Sequence, residues 1–217
     1  MLPAMERADR QSILVAGCTA AFGHRAALAL ARRGHRVIAG LREPDGRGRE
    51  VAAELGAHAR ADGLHLRVVE LDVDREQSVE AAVAAARSAT YGHLDTLVNS
   101  AAYAVLGPLE ACTPDQLLAM LNTNVVGALR LFRAVLPGMR AHGTGRIIQI
   151  TSGLGRAVLP FMGPYAASAF AQECFAEALA MEAAPFGVRV SIIEPSGYRE
   201  AGRPKKPVAD RDRLGAY

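Results

Sequence analysis

Residues 12–23 read Ser-Ile-Leu-Val-Ala-Gly-Cys-Thr-Ala-Ala-Phe-Gly. The apolar run over 13–16 has no polar residue at alternate positions, so it reads as a strand covered on both faces. It stops at Gly17, and a helical pattern follows over 23–33. A covered strand, a glycine turn and a helix make the first half of a βαβ unit. The same alternation continues along the chain. Strands are predicted at 12–17, 36–41, 66–71, 95–99, 146–151 and 189–194, and helices at 23–33, 46–55, 75–91, 114–142 and 164–185. Six covered strands separated by helices predict an α/β protein, a Rossmann-type doubly wound parallel sheet in a single domain. An N-terminal extension (1–11) precedes that domain (12–198), and a basic tail (199–217) follows it. Sheets of this kind bind ligands beyond the carboxyl ends of their strands, which makes the residues after each strand the candidates for function.

Composition narrows the partners. Half of the 217 residues are apolar, enough for a substantial core. A net charge of +3 from 25 basic and 22 acidic residues, spread along the chain, points to a small-molecule substrate and away from nucleic acid or a membrane surface. The basic surplus is concentrated in the tail, with six Lys or Arg from Arg199 onward against Glu200, Asp210 and Asp212. That stretch reads as a solvated, mobile segment or as a phosphate or partner contact. It holds both lysines of the chain, Lys205 and Lys206. Cys18, Cys112 and Cys174 are odd in number and far apart, which argues against a disulfide framework or a zinc site and fits a reducing cytoplasm. Residues 1–11 carry no apolar signal-type core, and no run approaches the ~18 apolar residues of a membrane span. The six histidines lack paired metal-ligand spacing, so no metal is expected.

Chemistry-bearing residues sit where the strands end. The turn 16–23 presents Gly17, Thr19, Phe22 and Gly23 at a helix N-terminus, whose free amides and dipole suit a phosphate. Ala39-Gly40-Leu41-Arg42 contains no carboxylate; Arg42 is either an exposed loop arginine or a fork of donors for a phosphate. Asp72-Val73 is a turn cap or an acceptor for an amino group. Leu97-Val98-Asn99-Ser100-Ala101-Ala102 closes the fourth strand, Thr151-Ser152 the fifth, and Glu194-Pro195-Ser196-Gly197 the sixth. Asn124-Val125-Val126-Gly127 lies inside the long helix, and Tyr165 follows Ser152 by thirteen residues.

Together these segments resemble the short-chain dehydrogenase/reductase family over residues 12–200. The resemblance implies NADP(H) as cofactor, with Arg42 favouring the 2′-phosphate. Gly17, Thr19, Phe22 and Gly23 would serve the pyrophosphate, Asp72 and Val73 the adenine, and Asn99 and Pro195 would be further cofactor contacts. It also implies reduction of a ketone by hydride while a tyrosine donates a proton. In this chain that tyrosine is Tyr165; Ser152 would bond the substrate oxygen and Asn124 would hold a relay water. The family's lysine, four residues after the tyrosine on the same helix face, anchors the ribose and lowers a phenol pKa that otherwise sits near ~10. Here it is Ala169. Further departures stand around the same cofactor: Ala21 for the middle glycine of TGxxxGxG, Ser100 and Ala102 within LVNNAG, and Ser196 and Glu200 within PGxxxT. The chain also reaches Tyr217 without the helix and seventh strand that usually complete the family's sheet.

This cluster of departures predicts an enzyme on a dehydrogenase scaffold with weakened or lost dinucleotide binding. Ser152 and Tyr165 would polarise the oxygen of a carbonyl compound for cyclisation, isomerisation or dehydration. Two alternatives stand beside it. One is an NADP-dependent ketone reductase or alcohol dehydrogenase, natural or inactivated at Ala169, with Lys205 or Lys206 as a substitute cation. The other is a non-catalytic binding protein on the same fold. An Ala- and Arg-rich, Lys-poor composition fits a GC-rich bacterial gene and specialised metabolism such as polyketide tailoring. The Ala-rich faces of 114–142 and 164–185 are either core or subunit interface; a homodimer or homotetramer through these helices is expected.

Overall fold

The structure, a computed structural model, describes residues 10–90, 92–196, 205–210 and 212–216, without the side chains of Ala21, Lys205, Lys206 and Ala216. The expected departure at Glu200 and the methyl group of Ala21 therefore lie outside the described residues and side chains, as do Tyr91 and most of the N-terminal extension.

Strands β1 Ser12–Ala16, β2 Arg36–Leu41, β3 Leu66–Glu70 and β4 Thr96–Asn99 follow the predicted positions. A short β5, Ala104–Leu106, comes next, then β6 Gly145–Ile150, β7 Val188–Ile193 and a short β8, Lys205–Pro207. The six longer strands form one parallel sheet in the order β3-β2-β1-β4-β6-β7. Side chains of β1 alternate between two apolar cores. Ile13 and Val15 pack with residues of α1 (Ala21–Arg32) and α2 (Arg49–Ala61). Leu14 and Ala16 pack with α3 (Glu76–Ala89), α5 (Gly127–His142) and the end of α6 (Gly163–Ala183). Coverage on both sides is why this strand needs no polar residue.

Two expectations, both about helices, are corrected. The helix expected over 46–55 is α2 and begins at Arg49, because the amides of Gly46 and Gly48 both turn back onto the Glu43 carbonyl; it then continues past Gly56. The helix expected over 114–142 is broken: α4, Pro114–Leu121, passes through a π-turn at Asn122–Val126 before α5 begins. Within the basic tail, β8 pairs in parallel with β5, setting Lys205 opposite Ala104 and Lys206 opposite Val105.

Local chemistry secures the new pieces. α4 starts with Pro114 behind a reciprocal cap, Thr113 accepting the Gln116 amide and Gln116 accepting the Thr113 amide. The Gln116 side chain also bridges the strand β8, donating to the Pro207 carbonyl (3.0 Å) and accepting from the Ala209 amide (2.8 Å). Val208 then rests on Gly107, where φ is +143° and a Cβ would come within 2.5 Å of Val208 Cγ2. Only glycine fits there. Among the described residues, no helix is long and apolar enough to cross a membrane, and no group of three or more His, Cys, Asp or Glu is placed to hold a metal ion.

Candidate active site

Ala16 pairs with Gly40 on one side and Asn99 on the other, so β1, β2 and β4 end level. Strand order reverses between β1 and β4, which opens a crevice at their carboxyl ends. A cleft of about 260 Å³ lies there, and Gly17, Thr19, Arg42, Asp72 and Val73 line it. Ser100, Ala101, Ala102 and Tyr103 form a further wall, with Asn122 and Thr123 from the π-turn. Gly17 has φ +85°, and a Cβ on it would stand 2.6 Å from the Ala101 amide nitrogen. This close crossing of two strand-end turns shapes the floor of the cleft. α1 begins after Ala20, which lines the cleft and gives the helix no side-chain cap.

Four expected cofactor residues stand outside that lining. Asn99 is fully buried; its Nδ2 donates to Gln149 Oε1 (2.9 Å) and its Oδ1 accepts the Ala101 amide (3.1 Å), fixing the turn. Phe22 packs against the α1/α2 core, Gly23 is buried beneath the turn, and the Pro195 carbonyl accepts the Gly153 amide (3.2 Å). Cys18 is buried too, its thiol pushed up to about 12 by burial, which makes it a packing residue.

Asn124 joins this cleft through Tyr103, and Ser152 and Tyr165 are linked through Leu154. Ser152 Oγ accepts the Leu154 amide (3.2 Å), and Leu154 packs in the apolar cluster that surrounds Tyr165. That cluster contains Ala104, Val105, Ala111, Met120 and Val208. Val208 brings the C-terminal segment into the same cluster as the tyrosine. No described side chain hydrogen-bonds the Tyr165 hydroxyl. Asn124 is fully buried at the π-turn. Its Nδ2 donates to the Tyr103 carbonyl (2.8 Å) and to Ser168 Oγ (2.9 Å), while its Oδ1 accepts the Tyr103 amide (3.0 Å). Ser168 Oγ donates in turn to the Tyr165 carbonyl (2.8 Å). The Asn124 carbonyl, at the helix break, accepts Gln172 Nε2 (2.8 Å). Ala169 is fully buried one turn after Tyr165 and brings no charge.

Behind Ser152 lies a charged hub. Glu173, only 2% exposed, accepts the Thr151 hydroxyl through Oε1, and Arg156 Nη2 stands 3.0 Å from Oε2. Arg156 also binds Glu177 on α6 and Glu194 at the end of β7 (3.2 Å). One guanidinium therefore ties three segments that frame the site. Burial holds the Glu173 carboxyl above its usual range, against the pull of Thr151 and Arg156.

A family profile described as short chain dehydrogenase matches residues 11–206. The chain belongs to that family. Its relatives include the uncharacterized oxidoreductase YbbO of Escherichia coli, 34% identical over 88% of this chain and 66% of its own length. Another is human 17-beta-hydroxysteroid dehydrogenase type 1, 38% identical over 85% of this chain and 56% of that protein. The chain thus spans less than two thirds of these relatives' lengths. Among solved structures it resembles a short-chain dehydrogenase from Streptomyces avermitilis (TM-score 0.84, 29% identity, covering 96% of this chain and 74% of that one). It also resembles an actinorhodin polyketide ketoreductase variant with NADPH (TM-score 0.81, 32% identity, covering 90% and 73%).

The residues present suit a nicotinamide dinucleotide unevenly. Where the resemblance would place the adenosine and phosphates, a glycine no larger residue could replace, the start of α1, Arg42 and Asp72 meet in the cleft. Where it would place the nicotinamide, Ala102 is a nearly buried methyl group and Ala169 would offer no cation for the ribose. Several side chains of this chain carry weight that the motifs did not mark: Asp74, Tyr103, Gln172 and Glu173. Glu173 gave no signal in the sequence, because a glutamate within a helix reads as solvent-facing until its packing is known. Asp74 and Tyr103 each follow a strand end by a few residues, the zone where this architecture places ligands.

Proposed function

We propose that this protein is an NADP(H)-binding oxidoreductase of an apolar ketone or alcohol that works without the family's lysine. The observation that carries this reading is the cleft at the strand-order reversal, where Gly17, Thr19, Arg42, Asp72 and Val73 converge. Likeness to a ketoreductase described with NADPH supports it, and makes a polyketide-type carbonyl compound a candidate substrate. Gly17 and the start of α1 receive the pyrophosphate, Arg42 the 2′-phosphate, and Asp72 and Val73 the adenine. When bound, the cofactor supplies hydride chemistry at the substrate carbon. Ser152 and Tyr165 hold the substrate oxygen, and the Tyr165 hydroxyl gives it a proton. Val105, Met120, Leu154 and Val208 exclude water from that oxygen and favour an apolar skeleton. Asn124, Ser168 and Gln172 fix the backbone on which Tyr165 and Tyr103 stand.

Ala169 favours a second reading, non-redox cyclisation, isomerisation or dehydration of a carbonyl compound. It is buried where a cation would act on Tyr165, and a neutral phenol donates hydrogen bonds well while accepting protons poorly. Calorimetric titration of NADPH, with ketone-dependent NADPH oxidation, separates the two in the parent protein and in Ala169→Lys. Micromolar binding, with reduction at least ~100-fold faster in Ala169→Lys, is the expected result. Absence of NADPH binding from both proteins would reject the oxidoreductase and leave the non-redox enzyme. A cytoplasmic setting belongs to the same proposal, resting on three free cysteines. So does assembly through the α5 and α6 faces.

A further inference from the structure

We infer that Asp74 sets the nucleotide selectivity of the cleft by holding Arg42 away from an incoming 2′-phosphate. The inference rests on the reading of the cleft as a dinucleotide site. Arg42 alone would mark that site as NADP(H)-specific, because its planar fork matches a phosphate. The structure places a competitor beside it. Asp74 lines the same cleft, and its Oδ2 lies 3.8 Å from Arg42 Nη1.

The carboxylate is the fixed member of this pair. Its Oδ1 accepts hydrogen bonds from Thr123 Oγ1 (2.8 Å) and Asn122 Nδ2 (3.2 Å), both on the π-turn. Asn122 is braced in turn, since its Oδ1 accepts from Arg130 Nη2 (3.0 Å) while Arg130 Nη1 donates to the Val73 carbonyl (2.9 Å). Arg42 is half-exposed on a flexible stem, so the guanidinium must move if a ligand is to take it. A dianionic 2′-phosphate at Arg42 would also sit close to an anchored negative charge, whereas a ribose hydroxyl would not be repelled. Tyr103 reports the same juxtaposition. Its hydroxyl is pushed up by burial and by the Asp74 carboxylate, and is pulled down by Arg42.

Calorimetry with NADPH and NADH on the parent, Asp74→Asn and Asp74→Glu tests this directly. Asparagine keeps the oxygen that Thr123 and Asn122 bind and removes only the charge. The expected result is NADPH binding about tenfold tighter in Asp74→Asn, with NADH changed less than about twofold and Asp74→Glu near the parent. In an Arg42→Gln background the gain from Asp74→Asn should shrink to less than about threefold. Unchanged NADPH affinity, or equal tightening of both nucleotides, would overturn the role given to Asp74 while leaving the dinucleotide site standing. If neither nucleotide binds any of the proteins, the reading of the cleft falls and this inference falls with it.

Discussion

Spacing alone nominated Ser152, Tyr165 and Asn124, through thirteen residues from a strand end to a helix and a motif inside another helix. The same spacing exposed Ala169 as the missing charge. Glu173 was hidden for a physical reason. A glutamate on a helix reads as solvent-facing, and only the packing of α6 against the Thr151–Ser152 strand end reveals that it is buried. Its environment gives a signed prediction. Burial raises the folded-state pKa, so the folded protein binds the Glu173 proton more tightly than the unfolded chain does. Stability associated with the protonated carboxyl is then full below the unfolded value near ~4.3 and is lost as pH rises through the raised folded value. Replacing Glu173 with Gln keeps an acceptor for Thr151 and removes the charge. Glu173→Gln should melt at a higher temperature than the parent at pH 7, and the difference should close as pH falls to about 4. Thermal unfolding at several pH values checks this; a lower melting temperature at pH 7 would show that the Arg156 ion pair outweighs desolvation.

At the scale of elements, every long strand was readable because an apolar run bounded by turn residues has few other interpretations. The two three-residue strands were not, since three residues are too short to show a period. The π-turn was equally hidden: Asn122–Val126 is flanked by good helical pattern, and its break is tied to tertiary partners, Asp74, Tyr103 and Gln172. The C-terminal segment is a clasp held by its pairing with β5, by Val208 and by Gln116. Two hydrogen bonds from that amide fix Pro207 and Ala209, on either side of the Val208 that packs toward Tyr165. Each such bond contributes roughly 0.5–1.5 kcal/mol, so Gln116→Ala should loosen the clasp by about tenfold. Amide hydrogen exchange provides the measure. The Val208, Ala209 and Asp210 amides, bonded to Leu106, Gln116 and Ala111, should exchange about tenfold faster while β1 amides keep their protection. Equal acceleration throughout β1 would mean that the substitution weakens the whole domain and that the clasp has no independent hold.

For the molecule as a whole, the doubly wound order follows from the sequence of covered strands and intervening helices, and the site from the one place where that order reverses. Surface chemistry adds what the order of elements does not contain. α6 carries large apolar side chains on its outer as well as its inner face, interspersed with Gln172, Glu177 and Glu182. Tyr165, Ala169, Ala176 and Leu179 face inward, yet Phe170, Phe175 and Met181 are exposed, Met181 by 73%. Leu129 on α5 and Val126 at the π-turn are exposed as well. Water contact on side chains of this size costs ~25 cal/mol per Å² of apolar surface, which a second copy laid on the same helices would recover. A two-fold arrangement needs one surface that complements itself, and the proposed pairing of α5 and α6 faces from two copies would supply it. Sedimentation equilibrium should accordingly give a mass that is a multiple of 22.9 kDa at micromolar concentration. Phe170→Glu, which leaves the buried face of α6 intact, should weaken self-association by at least ~10-fold through burial of an unpaired charge, with the helical circular dichroism unchanged. A 22.9 kDa species for the parent at high micromolar concentration would assign these exposed side chains to some other surface.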